Sequence, residues 1–242
     1  MLSWEYPPHI IGGLGRHVTD LSDALAQIGV EVHIITPQLK EGSRYERTAQ
    51  GVHIHRVAVP PITDRMLFPL TQELNVALKH AALDVQRSTG SFDLIHAHDW
   101  LVAQAGIALK HLCHLPLLAT IHATERGRHQ GHLTNDLSLQ IDRLERLLTG
   151  EAHRIIACSH FMAREVHTTF DAPPDKIDVV PNGVVVCSPP FQSDEERLVH
   201  LQETFSDVVK TDKTGLSKTA HTRWMISAFA NFLPGSTIFR LA

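Results

Sequence analysis

Several features that would narrow the function at once are missing from this sequence. The net charge is −4 over 242 residues, which excludes nucleic-acid binding through bulk positive charge. The apolar runs are interrupted by charged residues or histidines well before the roughly 20 residues that a membrane span needs. The first residues show neither a basic stretch nor an apolar leader. We therefore expect no membrane span, no nucleic-acid partner and a cytoplasmic location.

Cysteine is scarce in this chain, whereas histidine is abundant. Cys113, Cys158 and Cys187 stand far apart and form no Cys-x-x-Cys pair, which excludes a disulfide scaffold and is typical of reduced thiols in the cytoplasm. The 18 histidines form no His-Glu-x-x-His or other three-ligand pattern. We expect the scattered ones, such as His53 and His55, to be solvated.

Strand-like and helix-like segments alternate along the first two-thirds of the chain. Short runs rich in β-branched residues, such as residues 30–36 and 154–159, alternate with amphipathic segments such as residues 101–112. This order predicts an α/β fold with a Rossmann-like, doubly wound parallel sheet over residues 1–190. Residues 191–242 lose the rhythm, and we expect a linker helix and an aberrant or disordered tail there.

Ligands of such sheets bind beyond the carboxyl ends of the strands, so the polar residues that follow each strand are the candidates. The loop Gly12-Gly13-Leu14-Gly15 precedes a predicted helix, whose N-terminus can receive a phosphate. Its spacing does not complete a Gly-x-Gly-x-x-Gly fingerprint, and a simple tight turn remains an alternative.

A second candidate segment is His96-Ala97-His98-Asp99-Trp100 at the end of a predicted strand. The two histidines share one face of the strand and could hold a metal, although no third ligand follows at a matching spacing. Asp99 could instead cap the following helix. A substrate-facing site is the third interpretation, and all three stay open at this point.

A third candidate lies after the next strand, where His122 is followed by Glu125 and Arg126. Such a group can recognise hydroxyls or phosphate, or it can form a surface loop of mutually paired charges. Ser159 and Asn182 follow later strands, and Asn182-Gly183 is also a common turn dipeptide.

Taken in order, these segments resemble the retaining glycosyltransferases of family 4 and the glycogen-synthase-like group. The matching strings are SWEYPP from residue 3, GGLGRHV from residue 12, FDLIHAHDW from residue 92, TIHATE from residue 120 and KIDVVPNGV from residue 176. The resemblance implies the N-terminal half of a GT-B fold, in which two Rossmann-like domains face each other across a cleft. It implies transfer of a sugar from a nucleotide-sugar donor to a glucan or other acceptor, with no cofactor and no obligatory metal.

By the same resemblance, His122 would be catalytic and would lie near the transferred sugar. The loop of Gly12, Gly13 and Leu14 would approach the donor phosphates. Further residues would line the acceptor side of the cleft; they are His98, Asp99, Trp100, Glu125, Arg126, Ser159 and Asn182.

The sequence departs from the family in two places. Ile10 stands where glycogen synthases proper carry a lysine, two residues before the glycine pair. After Asn182-Gly183 the donor-domain motifs are missing, so we expect a truncated chain that is inactive alone. A separate chain could supply the donor domain. A non-catalytic carbohydrate-binding or partner subunit, or an unrelated nucleotide-binding protein, is the alternative.

Overall fold

The computed structural model describes residues 1–59 and 67–183, which lie in one compact unit, Met1–Gly183. The strands are β1 (His33–Gln38), β2 (Tyr45–Arg47), β3 (His53–Ala58), β4 (Ile95–His98), β5 (Leu117–Ile121), β6 (Arg154–Ala157) and β7 (Ile177–Val179). The helices are α1 (Gly13–Gln27), α2 (Leu67–Thr89), α3 (Ala103–Cys113), α4 (Glu125–Arg128), α5 (Asp136–Glu151) and α6 (His160–Phe170). The expected tail, residues 191–242, and residues 184–190 lie outside the described residues.

The strands run in the order β2-β3-β1 and β4-β5-β6-β7, and all pairs are parallel except β2 with β3. Leu2 joins the two groups, because it bridges in parallel to Ile35 of β1 and to Ala97 of β4. Its amide donates to the carbonyl of His96 at 2.7 Å, and its carbonyl accepts from the amide of His98 at 3.2 Å. Leu2 therefore lies between the two groups of strands and connects them into one α/β sheet.

The main core lies between this sheet and the helices packed on it. Its fully buried members include Leu117 and Ile121 of β5, Ile155 of β6 and Leu148 of α5. Each such side chain stabilises the fold by about 1.5–3 kcal/mol through apolar burial. A Cβ on Gly106 of α3 would lie 3.1 Å from Ala97 Cβ, so a glycine there lets α3 pack closely on β4.

Local signals place the longer helices about where the sequence predicts them. Asn135 caps α5 through a capping box with Ser138, in which each side chain accepts from the other residue's amide. Gly29 follows α1 with φ of +92°, a conformation that suits glycine. The helix predicted at residues 101–112 is present as α3, which spans Ala103–Cys113.

Two expectations about the sheet and the histidines need correction. Strand β2 is antiparallel and was not predicted, because its three exposed residues carry no alternation of apolar and polar side chains. His33 is buried, and His53 and His55 are half-buried, so these three histidines are not solvated as expected. Among the described helices, none is both long and apolar enough to cross a membrane.

Candidate active site

The candidate site forms where β4 and β5 end side by side. Asp99 follows β4, and its carboxylate oxygen Oδ1 accepts a 2.7 Å hydrogen bond from the backbone amide of His122, the first residue after β5. The amide of Asp99 donates to the carbonyl of Thr120 at 3.0 Å. These two hydrogen bonds connect the end of β4 to the end of β5. The bond from the backbone amide of His122 also fixes the position of this residue.

Asp99 adopts an unusual backbone conformation to make this contact, with φ of +60° and ψ of −179°. Such a conformation costs a non-glycine residue about 1–3 kcal/mol and is concentrated at functional sites. The helix-capping interpretation of Asp99 is wrong, because its side chain makes no cap hydrogen bond to the turn at Trp100–Val102. Burial raises the pKa of Asp99 to about 7, against the hydrogen bond from His122 and the charge of Arg128.

Three imidazoles lie close together at this end of the sheet. His98 Nδ1 lies 3.3 Å from His122 Nε2. The ring of His17, from the first turns of α1, lies edge-on to both, with centroids 4.8 Å from His122 and 5.7 Å from His98. His98 is fully buried, whereas His17 and His122 are half-buried. His17 and His122 are therefore the members of the trio that are partly accessible to solvent.

The electrostatics of the trio favour neutral rings. Burial lowers the pKa of His122 to about 4, although the charge of Glu5 acts in the opposite direction. Burial, followed by the neighbouring His96 and His122, holds the pKa of His98 well below its usual range. Burial and then His122 lower the pKa of His17. Neutral imidazoles can each donate and accept one hydrogen bond, as recognition of hydroxyl groups requires.

The histidine pair considered for a metal is not the group that the structure assembles. His96 Nε2 lies 2.7 Å from the hydroxyl of Thr120, so this imidazole has a partner inside the sheet. Instead, His17, His98 and His122 each offer a nitrogen within 4.8 Å of the others and could hold a metal ion. The nitrogens His17 Nε2 and His98 Nε2 are buried and have no hydrogen-bond partner among the described residues.

The glycine loop lies at the N-terminus of α1, where Gly12 is the N-cap residue without a side-chain cap. Glu5 anchors the loop, since its Oε2 accepts from the amides of Ile11 at 3.0 Å and Gly12 at 3.1 Å. A Cβ on Gly15 would lie 3.0 Å from Glu5 Cβ, whereas no atom lies within 4 Å of a Cβ built on Gly12 or Gly13. The loop is thus closed towards Glu5 and open on its other face.

Glu125 and Arg126 are held by hydrogen bonds to α5. The amide of Glu125 donates to both carboxylate oxygens of Glu145 at 2.9 Å. Arg126 binds Asp142, with 2.6 Å from Nε to Oδ1 and 3.3 Å from Nη2 to Oδ2. Burial raises the pKa of Glu145 to about 8. This network holds the chain that follows His122.

The remaining predicted residues take supporting positions. Trp100 is buried with Ile141 and Leu144 of α5, and Leu14 is half-buried against the core beside α1. Ser159 caps α6 by accepting from the amide of Met162 at 3.1 Å, and Asn182 is exposed after β7. The structure therefore brings His98, Asp99 and His122 together, and it gives Ser159 and Trp100 structural partners.

Sequence reasoning left two residues of this site without a role. His17 and Glu5 both lie in the strings that carry the family resemblance, but their spacing from His122 in the chain gives no sign of contact. The signal that could have found them is their place at the edge of the predicted sheet: Glu5 follows the first strand, and His17 lies in the first turns of the next helix.

A cavity of about 830 Å³ opens between the loop after β5 and helix α6. Basic and apolar side chains line it together, among them Arg126, Arg128, Arg146, Phe161 and Met162. It is large enough for a sugar or a similar polar molecule. A parallel α/β sheet with a glycine loop and buried histidines at the carboxyl ends of its strands has the arrangement in which such folds bind ligands.

Comparison with known proteins identifies the family. The profile of Glycosyltransferase Family 4 matches residues 11–186, and the chain belongs to this family. Glycogen synthase of Mycobacterium tuberculosis (strain ATCC 25618 / H37Rv) is 37% identical over 210 residues, which cover 81% of this chain and 50% of that protein. The chain spans about half the length of the curated relatives that it matches. The predicted family is thus confirmed.

Solved structures agree on the fold. Sucrose-phosphate synthase from Thermosynechococcus elongatus matches with a TM-score of 0.63 at 14% identity, covering 96% of this chain and 66% of that one. The Anabaena protein HepE in complex with UDP-glucose matches with a TM-score of 0.53 at 15% identity, covering 87% and 50%. The predicted α/β, Rossmann-like fold, the N-terminal half of the GT-B architecture, is confirmed.

Proposed function

We propose that this chain forms the acceptor-side half of a retaining GT-B glycosyltransferase, which transfers a sugar from a nucleotide-sugar donor to a glucan or another acceptor. The observation that carries the proposal is the 2.7 Å hydrogen bond by which Asp99 fixes His122 at the edge of the sheet. The Anabaena relative in fold was solved with UDP-glucose, which supports a nucleotide-sugar as the donor.

In this proposal His122 is the catalytic residue that touches the transferred sugar. Its neutral imidazole hydrogen-bonds a sugar hydroxyl, and Asp99 and His98 hold the residue in place from below. Groups that are fixed before the reaction stabilise developing charge without the cost of reorganisation. His98 and Asp99 are buried, so their part is to position His122 and not to contact the acceptor.

The N-terminus of α1 would receive the departing diphosphate. The first amides of an α-helix have no intrahelical partner, and the helix dipole favours an anion there. Glu5 already occupies the amides of Ile11 and Gly12, which leaves the helical amides from Gly13 and Leu14 onwards for the phosphates. The open space over Gly12 and Gly13 gives a phosphate room to approach.

We further propose that transfer needs a donor-binding half in addition to the described residues. The curated relatives are about twice as long as the matched part of this chain. That half could be part of the same polypeptide or a separate chain. We place the enzyme in the cytoplasm, because Cys113 and Cys158 are both free thiols, as a reducing compartment favours.

A hybrid enzyme tests the proposal. Residues 1–183 would replace the corresponding half of the Mycobacterium tuberculosis glycogen synthase, and transfer of labelled glucose from UDP- or ADP-glucose to glycogen would be measured. We expect the hybrid to transfer glucose and His122→Ala to lower kcat by about 100-fold or more. His80→Ala, at an exposed position of α2, is the matched control and should keep full activity.

Two results would contradict the proposal. Full activity of the His122→Ala hybrid would remove this residue from catalysis. Glucan binding by the 242-residue chain, combined with an inactive hybrid that is correctly folded, would favour the alternative of a non-catalytic carbohydrate-binding subunit.

A further inference from the structure

A second histidine cluster lies at the amino ends of the parallel strands, whereas the candidate active site lies at their carboxyl ends. His33 and His53 are the first residues of β1 and β3, two parallel strands in which they are direct partners. The site described above lies at the carboxyl ends of parallel strands, so this cluster lies at their amino ends. Nothing in the proposed glycosyl transfer uses it.

The side chains of this cluster converge closely. His33 Nε2 lies 3.1 Å from Glu31 Oε1, and the rings of His33 and His53 are stacked with centroids 4.6 Å apart. Glu31, His33 and His53 each offer one ligand atom, and these atoms lie within 4.8 Å of one another. Two imidazoles and a carboxylate form a ligand set that zinc accepts, with water in the fourth position.

The other ring nitrogens of the two histidines already have partners. His33 Nδ1 lies 3.1 Å from His55 Nε2, and His53 Nδ1 lies 2.8 Å from the hydroxyl of Tyr45. Histidines that bind metal almost always use their second nitrogen in this way, which fixes the tautomer and the orientation of the ring. These bonds occupy the Nδ1 atoms, so Nε2 is the nitrogen that each ring has left for a metal. Because the two rings are stacked, the ring of His53 must tilt before both Nε2 atoms can bind one ion.

Charge and protonation suit a cation at this place. Histidine binds a metal through a neutral ring, and an unperturbed imidazole, with a pKa of about 6.5, is mostly neutral at pH 7. Arg47 opposes a cation, but its Nε is directed to the carbonyl of Gly51, at 3.5 Å. The carboxylate of Glu31 contributes the negative charge that an incoming cation needs.

The cluster is also accessible and adjustable. A cavity of about 220 Å³ lies beside the cluster and is lined by Glu31 and His33 but not by His53, so it gives access to the cluster from one side. Ligands of a tetrahedral zinc ion lie about 3.3 Å apart when the bonds measure about 2.0 Å. The Glu31 side chain is 71% exposed and His53 is half-buried, so both can move inwards while the buried His33 stays fixed.

We propose that Glu31, His33 and His53 form a Zn²⁺ site that fastens the amino ends of β1 and β3. Tyr45 and His55 orient the two imidazoles and do not touch the metal. The inference does not depend on the proposed glycosyl transfer, because no residue is shared between the two sites.

Calorimetric titration of the metal-free 242-residue chain with Zn²⁺ tests this site. We expect a tight site in the wild type and at least tenfold weaker binding in Glu31→Gln and in His53→Ala, because each substitution removes a ligand. Tyr45→Phe removes a hydrogen bond to a ligand and should weaken binding by about tenfold. His80→Ala is the matched histidine control and should bind as the wild type does.

The imidazole trio of the candidate active site is the competing location for zinc, and His17→Ala separates the two. If the tight site disappears in His17→Ala but persists in Glu31→Gln and His53→Ala, the proposal is wrong. The same holds if the wild type binds no zinc.

Thermal unfolding then shows whether a variant has lost the site or its fold. Without metal, the midpoints of Glu31→Gln and Tyr45→Phe should match the wild type, since both positions are exposed. With excess zinc, the wild-type midpoint should rise, and that of Glu31→Gln should rise less. An equal rise in both proteins would overturn the proposal.

Discussion

Each end of the parallel strands carries three close histidines and a carboxylate. At the carboxyl ends, here called the carboxyl edge, these are His17, His98, His122 and Asp99. At the amino ends, the amino edge, they are His33, His53, His55 and Glu31, and the two groups differ in the contacts that hold them together. At the carboxyl edge, Asp99 is buried and accepts from the backbone of His122, so the site is built into the fold. At the amino edge, Glu31 is exposed and contacts the side chain of His33. The first arrangement is rigid before any ligand arrives, whereas the second is left open for one.

This contrast teaches how position on a parallel sheet decides the use of the same residue types. Strand ends at the carboxyl edge are followed by loops that meet helix N-termini, which suits anions and sugars. At the amino edge, neighbouring strands place side chains in direct register, as His33 and His53 show. Register of this kind brings side-chain atoms close enough to share one cation.

The largest expected effect comes from removing the carboxylate at each edge. Asp99→Ala leaves the amide of His122 without its acceptor, which should lower the free energy of unfolding by about 1–3 kcal/mol and lower kcat of the hybrid enzyme by at least tenfold. Glu31→Gln should change the metal-free stability by less than about 0.5 kcal/mol, because the side chain is exposed. Urea unfolding of both variants measures the difference.

Equal losses of stability in the two variants would break the comparison. The conservative change Asp99→Asn keeps an oxygen for the amide of His122 and should retain more stability than Asp99→Ala. If Asp99→Asn restores stability but not kcat, the charge itself contributes to positioning His122 in the reaction.

The pH dependence of the unfolding free energy also tests whether Asp99 is buried in the folded protein. Burial raises the folded-state pKa of Asp99 to about 7 from 3.8, so the folded protein binds a proton here that the unfolded chain releases. Stability from this group is therefore greatest below about pH 4 and is lost as the pH rises to about 7. Relative to Asp99→Asn, the wild type should lose about 1–2 kcal/mol of unfolding free energy between pH 5 and pH 7.

Other titrating groups near Asp99 also change the unfolding free energy with pH, so Asp99→Asn is needed as the reference. The folded-state pKa of His122 is lowered to about 4, so its contribution is lost as the pH falls below about 6.5. Glu145, with a pKa of about 8, acts in the same direction as Asp99. Comparing Asp99→Asn with the wild type in urea unfolding at each pH removes these backgrounds, apart from the part of the Glu145 shift that the charge of Asp99 causes. A constant difference across this range would show that Asp99 does not titrate there.

Much of the fold could be predicted from the sequence, because each parallel strand and each amphipathic helix leaves a local pattern. Strands β1 and β3 to β7 follow runs of β-branched or apolar residues. Strand β2 does not, since Tyr45–Arg47 is short, exposed and polar. Its pairing with β3 depends on tertiary placement, which local propensity does not contain.

The candidate site was predictable as a location but not as a set of contacts. Polar residues after strands indicated the edge where His122 lies, and the family strings added a role for it. The hydrogen bond from His122 to Asp99 depends on a φ of +60° at Asp99, which no pattern of residue types indicates. The amino-edge cluster depends on β1 lying beside β3, so a sequence that shows only isolated histidines gives no sign of it.

The smallest expected effect distinguishes the two faces of the glycine loop that leads to the carboxyl edge. A methyl group in Gly15→Ala would lie 3.0 Å from Glu5 Cβ and 3.2 Å from Ile10 Cγ1, so the loop must shift away from its anchor. The better helix propensity of alanine offsets part of this strain, and we expect a net loss of about 1 kcal/mol in urea unfolding. Gly13→Ala meets no atom within 4 Å and should not lower stability. In the hybrid enzyme, however, its methyl group enters the space proposed for the donor phosphates, so KM for the nucleotide-sugar should rise. A loss of stability in Gly13→Ala would mean that this face of the loop is not open, and an unchanged KM would mean that it is not a phosphate site.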